Sequence, residues 1–487
     1  MENKVSYKIF YQAVGLFIAL NALFIYMEVY YFMLIPLALA IVAIALFRLD
    51  WLLLFIMFLV PASLTISDVG GGLGLTLPTD PLLFGAMMVF ILKTLFNGDY
   101  DIKIIKNPIT LSVIAMLVWM FFSVLFSRLP MVSLKFFMAK LWFIIPFFFA
   151  GVLLFKNRQN IIKITWFFVI PMSGVIIYTM IRQYARGFDI QAAHWVMQPF
   201  FSDHTSYGAM MAFFIPAMFA QINYMKWEIN TKILAGVLLG IFILGTVLSY
   251  TRAAWVSLVV AIALYSLIKL KIRWWVVALS GLTVVAMVFM FWVTVLQKLE
   301  KNRQDSSGDL AEHVESMSNV ATDASNLERL NRWSAAFKMF GESPIVGTGP
   351  GTYAFLYAPY QLSSNLTVIS TNFGNLGNAH SEYFGPLAEQ GVPGLAIWLV
   401  LIFFIFYRGI ITYYRLKDSK NKALLMGAIL GLTTYLIHGT LNNFLDTDKA
   451  AVPFWAFVAI IVAMDVYFEK SLNKADHEPE LNVNKYK

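Results

Sequence analysis

The chain has 487 residues, of which 59% are apolar and only 13% charged, and its mean hydropathy is +0.70. Soluble domains carry about 25% charged residues, so a water-soluble multidomain protein is excluded and most of this surface must face lipid. The formal charge of +8 is spread over short connectors between apolar runs, where it orients helices and does not mark a nucleic-acid partner. With no cysteine, disulfides, thiol catalysis and cysteine metal sites are also excluded.

A membrane span needs roughly 17–25 mostly apolar residues. In chain order such runs cover 10–27, 29–47, 51–66, 81–97, 109–126, 136–155, 164–182, 207–223, 233–249, 253–269, 274–296, 393–413, 423–440 and 450–468. The weakest is 51–66, which is short and contains Pro61; losing one weak pair leaves twelve. The expected fold is therefore all-α, a polytopic transmembrane helix bundle of 12–14 spans with one large helical outer loop. The first run follows Lys4 and Lys8 without a small-residue cleavage site, so it reads as an uncleaved span. With the N-terminus inside, 23 of the 36 Lys and Arg residues fall on the cytoplasmic side. Both termini are thus expected inside, and the long loop at 297–392 outside. The chain divides into N-terminal spans (1–296), the outer loop (297–392), C-terminal spans (393–468) and a cytoplasmic tail (469–487).

The loop begins with a polar stretch at 301–324, rich in Ser, Asp and Asn. Ser325 and Glu328 then have the spacing of a capping box, and Leu327, Leu330, Trp333, Phe337 and Phe340 recur with helical period until Gly341. This predicts an amphipathic helix lying on the membrane or on the bundle. A second helix is expected to start near His380 and to end at Gly391, with Pro393 and Gly394 leading into the next span.

An outer-face site has no ATP, and no P-loop pattern occurs in the chain. A transfer reaction there must draw its energy from the substrate, for instance a diphosphate-linked lipid. It needs cations for the diphosphate and a base for the attacking hydroxyl. Arg252, after Ser249, Tyr250 and Thr251 at the outer end of a span, is either a clamp on phosphate oxygens or a snorkelling interfacial arginine. Arg329 lies one turn before Trp333, with Arg332 on a different face; on spacing alone a solvated helix face explains it better. Gly347, Gly349 and Gly351 make a weak nucleotide motif, because no strand precedes them, but a reasonable tight turn. His380 is the best candidate base, since a helix N-terminus lowers an imidazole pKa; the alternative is a structural histidine. His204 beside Asp203 is either a working pair or a capped helix start, and His438 bonds a neighbouring helix in the simplest reading. Of the two D-x-D patterns, Asp99/Asp101 falls on the cytoplasmic side and Asp446/Asp448 in a short outer loop, where helix capping is favoured over a metal or acceptor role. No other spacing resembles a metal motif, and neither a metal site nor a cofactor is expected.

Three segments in this order resemble the O-antigen ligase family, which also takes in many O-antigen polymerases. They are Ser249-Tyr250-Thr251-Arg252-Ala253-Ala254-Trp255, the run from Arg329 through Trp333 and Ala336 to Pro344, Gly347, Gly349 and Gly351, and His380-x-x-Tyr383 continuing through Leu387, Glu389, Gly391 and Gly394. The resemblance covers roughly 200–445 and departs from the family where Ser381 follows the histidine and where a long polar stretch precedes Arg329. It implies a metal-independent glycosyltransferase at the periplasmic face of the bacterial inner membrane. The implied partners are an undecaprenyl-diphosphate-linked glycan, a lipid A–core or other glycan acceptor, and membrane lipid. By motif, Arg252 and Arg329 hold the diphosphate and His380 activates the acceptor hydroxyl; Arg186, His204 and Tyr383 are further substrate-binding candidates. A ligase leads. A polymerase using the same donor is the close alternative, because the loop at about 183–206 carries Arg182, Arg186, His194, Trp195 and His204. A flippase or transporter is less favoured, since no internal repeat is evident and charges in the span centres are scarce.

Overall fold

A computed structural model describes residues 2–28, 32–33, 35–66, 74–98, 100–271, 328–361 and 377–468. The expected span at 274–296, the stretch 301–324, Ser325 and Leu327, Asp99 and the tail 469–487 lie outside the described residues. The chain falls into two compact units, 1–53 and 54–487. In the first lie α1 (Glu2–Tyr26) and α2 (Ile35–Phe47), and Phe32 between them packs against Phe17 and Phe24, with ring centroids 5.4 and 4.6 Å away.

Beyond α3 (Leu49–Leu59), the second unit is a helix bundle: α4 (Thr79–Asn97), α5 (Ile102–Ile105), α6 (Pro108–Leu125), α7 (Pro130–Leu154), α8 (Arg158–Tyr184), α9 (His204–Tyr224), α10 (Ile229–Leu248), α11 (Arg252–Lys269), α12 (328–342), α13 (Phe384–Arg415), α14 (Ser419–His438) and α15 (Asp448–Phe468). Lipid offers backbone amides no partners, so an apolar chain crossing it must satisfy them within helices. Among the described residues nine helices are long and apolar enough to cross a membrane: α4, α6 to α11, α13 and α15. Side chains written into the sequence start several of them. Asn107, Asn157, Asp203 and Asp418 each accept a hydrogen bond from a backbone N–H of the first turn.

The core runs along α9, α14 and α15. Gly427 lies against the Ala217 backbone and Gly431 against the Phe213 carbonyl, so closely that an added Cβ would come within 2.9 and 2.7 Å. Small residues permit such approach, which is how helices associate where lipid removes the hydrophobic drive. Phe214 stacks on Phe168 at 4.0 Å, and Phe213 meets Phe457 at 4.6 Å. The buried carboxylate of Asp465 is held by Arg408 at 2.7 and 2.9 Å, Thr412 at 2.9 Å and Asn107 at 2.7 Å. It is a fully paired charge, the only affordable kind at such a place.

Three expectations change. The apolar run at 51–66 ends early: Pro61 stops the helix in a 3-10 turn at Val60–Ala62, and Leu64–Ile66 (β1) pairs antiparallel with Leu75–Leu77 (β2). The helix expected from His380 instead begins at Phe384 and continues through Pro393 to Arg415, broken only at Gly391 (φ 68°, ψ −166°). In α12 the buried face is Glu328, Asn331, Arg332, Ala335, Ala336 and Met339, while Phe337 of the apolar stripe stays 49% exposed. That helix packs by its small and polar side, with Trp333 and Phe337 clasping Phe384 at 5.2 and 5.1 Å.

Candidate active site

The break in α13 is filled by the glycine-rich turn. Gly347, Gly349 and Gly351 all have positive φ, a conformation that side chains resist. An added Cβ on Gly347 would fall 2.1 Å from the Glu389 carbonyl carbon, and one on Gly349 2.0 Å from Ser127 Oγ. The amides of Thr348 and Gly349 donate to Ala388 O and Glu389 O at 3.0 and 2.9 Å, and Val392 N donates to Pro344 O at 2.9 Å. Backbone groups that Gly391 releases from the helix are thus satisfied by the turn. The Glu389 carboxyl receives Tyr353 N at 2.9 Å. The run therefore serves as a tight turn, bracing the short helix that follows His380.

Arg332 braces the other flank. The residue is 5% exposed, and its guanidinium pairs with Glu328 at 2.7 Å and donates to Asn378 O at 2.9 Å. The Tyr357 ring lies 5.0 Å away, and Tyr353, stacked on Tyr357, donates its hydroxyl to Arg332 O at 2.7 Å. Four residues after Asn378, Glu382 fastens the same segment to the α14–α15 connector. Its amide donates to Gly439 O at 2.8 Å, and its carboxylate accepts from Tyr435 Oη, Phe444 N and Leu445 N.

Between these anchors His380 adopts φ 48°, with its amide donating to Asn378 Oδ1 at 3.1 Å. Its imidazole lies within electrostatic reach of Asn442, Arg332, Arg329 and Asp203. Burial, with Arg332 and Arg329 adding to it and Asp203 opposing, pushes the imidazole down to about 3, so it is neutral at physiological pH. Arg329, also held below its ordinary value by burial and opposed by Asp203, donates Nε to Leu441 O at 3.3 Å. His438 approaches Asn442 through Nδ1 at 3.5 Å, and its Nε2 is buried with no hydrogen-bond partner among the described residues.

The third wall is the start of α9. Asp203 caps the helix, accepting from Thr205 N and Ser206 N at 2.8 Å each. Burial works against its charge, but these bonds prevail and hold its pKa below the ordinary value. His204 packs edge-on against His194, with centroids 4.1 Å apart. Thr251 donates its hydroxyl to His204 O at 2.8 Å, and Gly208 leaves the space that Thr251 and Ser249 occupy. Arg252 follows as the exposed first residue of α11. Nearby, Arg182 and Arg186 flank the Trp195 ring at 5.5 and 5.2 Å.

The fold thus gathers His380, Arg329 and His204, and ties the turn before Arg252 to His204. Arg186 stands on the Trp195 platform, next in sequence to His194. Tyr383 donates its hydroxyl to Leu436 O at 3.2 Å. The sequence reading passed over Asn442 and Glu382 and set Arg332 aside; an Arg–Glu pair at i, i+4 was the one visible signal for the last. Among the described residues no three His, Asp or Glu side chains are arranged to hold a metal ion. A cavity of about 370 Å³ lies behind the loop, bordered by Lys140, Asn378, Ser381, Glu382 and Asp446 but not by His380.

These features define a multi-pass helical membrane protein with a histidine–arginine site on a loop braced against the bundle. Residues 237–399, about a third of the chain, match the O-antigen ligase family. The matched stretch contains Arg252, Arg329 and His380 and stops before Asn442. It supports a glycan-handling membrane enzyme. No curated protein matches the chain.

Proposed function

We propose that this protein transfers a glycan from undecaprenyl diphosphate to a hydroxyl of a lipid A–core acceptor at the periplasmic face of the bacterial inner membrane. The observation that carries this reading is a neutral His380 set beside Arg329 within the stretch that matches the O-antigen ligase family. The acceptor O–H gives its proton to the imidazole as its oxygen forms the bond to the anomeric carbon. The bond from that carbon to the diphosphate breaks, and the electron pair leaves on the undecaprenyl diphosphate. Arg329 and Arg252 hold the charge that develops there, and no metal ion is required. A single displacement of this kind inverts the anomeric centre.

A base with a pKa near 3 is too weak to keep a proton at neutral pH. The donor supplies the correction: its anionic diphosphate offsets the two arginines that depress His380 and raises the imidazole when transfer occurs. A polymerase is the second reading, favoured by the way the 183–206 loop brings His194 against His204. Purified protein in liposomes with lipid-linked oligosaccharide, lipid A–core and EDTA separates the two. Glycan on the core makes it a ligase, donor lengthening alone a polymerase, and an intact donor with or without EDTA counts against both.

A further inference from the structure

An apolar groove of about 560 Å³ runs between α9, α10, α11 and α14. It begins beside Val247 and Trp255, near Arg252, and ends among Tyr265, Lys269, Tyr413 and Lys422. Its walls are otherwise aliphatic and aromatic, whereas its far mouth holds two cations. The Lys269 ammonium lies 5.6 Å from the Tyr265 ring and 6.0 Å from the Tyr224 ring, and the Lys422 ammonium lies 5.6 Å from the Tyr413 ring. Neither lysine has a carboxylate partner among the described residues. Asp418, one turn before Lys422, is engaged by Arg158 at 2.9 Å.

An alkane-like trough ending in two ammonium groups and phenol hydroxyls is complementary to a lipid with an anionic head. Because both cations sit at the end away from Arg252, the fit is to a diacyl lipid and not to the proposed donor. We propose that the groove binds a single anionic phospholipid, with its phosphate between Lys269 and Lys422 and its acyl chains along the wall toward Met426. A zwitterionic lipid brings its own cation to the same mouth and is disfavoured, and free phosphate has nothing to place in the groove. On the proposed orientation this end faces the cytoplasmic leaflet, where Lys and Arg collect.

Native mass spectrometry of the full-length protein in detergent, with phosphatidylglycerol or phosphatidylcholine of the same chains, tests the assignment. One phosphatidylglycerol should be retained with about tenfold preference. Lys269→Gln with Lys422→Gln should remove the preference, and Lys93→Gln with Lys106→Gln, which deletes the same charge elsewhere, should leave it. Equal retention of the two lipids, equal loss in both double variants, or displacement by inorganic phosphate would each overturn it. Ala423→Phe fills the groove with both lysines in place and should also expel the lipid. Retention in that variant would place the lipid elsewhere.

Discussion

His380 sits where a side chain is least at ease, at φ 48° between Asn378 and Glu382, both bound to other elements. Strain of about 1–3 kcal/mol persists only where the surroundings over-determine it. His380→Ala should lower transfer by about 10²–10⁴-fold and leave the melting temperature in detergent nearly unchanged. Activity within a few-fold of the parent would remove His380 from the reaction. The pH dependence follows from the depressed imidazole: the free protein protonates His380 only near pH 3, so kcat/KM should stay flat from pH 8 down to about 5. Because the bound diphosphate favours the protonated form, the acid limb of kcat should lie at higher pH than that of kcat/KM. An inflection in kcat/KM between pH 6 and 7 would contradict this account. Arg332 has a different part, since removing it takes a buried ion-pair partner from Glu328 and a donor from the Asn378 carbonyl. Arg332→Ala is expected to cost about 3–5 kcal/mol of stability, read by denaturation. A stable but inactive variant would instead assign Arg332 to substrate.

At the scale of elements, the turn at 343–352 and the break at Gly391 are one device. An added Cβ on Gly391 would meet Ile345 O at 2.2 Å, while Gly236 on α10 has open space around it. Gly391→Ala should therefore abolish folded protein or transfer, and Gly236→Ala should change neither; a tolerated Gly391→Ala would mean that the turn and helix move independently. Much of this region was legible beforehand. Hydropathy located most of the described spans, because lipid imposes a simple rule on composition, but it ran past the helix end at Leu59 and placed the start of α13 well beyond Phe384. Arg252, Arg329 and His380 stood out through the family resemblance and not through spacing alone, and the glycines announced a turn. The start of α13 was not legible, because the Ser381 hydroxyl caps Tyr383 N and Phe384 N after a left-handed residue, a choice made by tertiary contacts. Nor was the buried face of α12, since the apolar stripe predicted one side and the Arg332–Glu328 pair took the other.

At the scale of the whole molecule, the orientation rests on the distribution of Lys and Arg. The absence of cysteine makes it directly measurable. A single cysteine at Arg186 or Glu342 should react with a membrane-impermeant maleimide in intact cells, and one at Lys106 only after permeabilisation. The reverse pattern would invert the proposed topology and move the site to the cytoplasm.

The clasp on Glu382 also bears on how the protein is made. A ribosome delivers His380 well before the groups that steady it, since Phe444 follows Glu382 by 62 residues. On the proposed mechanism, the chemistry is expected to wait until the last hairpin has been inserted. A chain ending at Leu416 should insert yet remain inert, and separate expression of 417–487 should restore transfer. Turnover by the truncated chain alone would show that the delay does not exist.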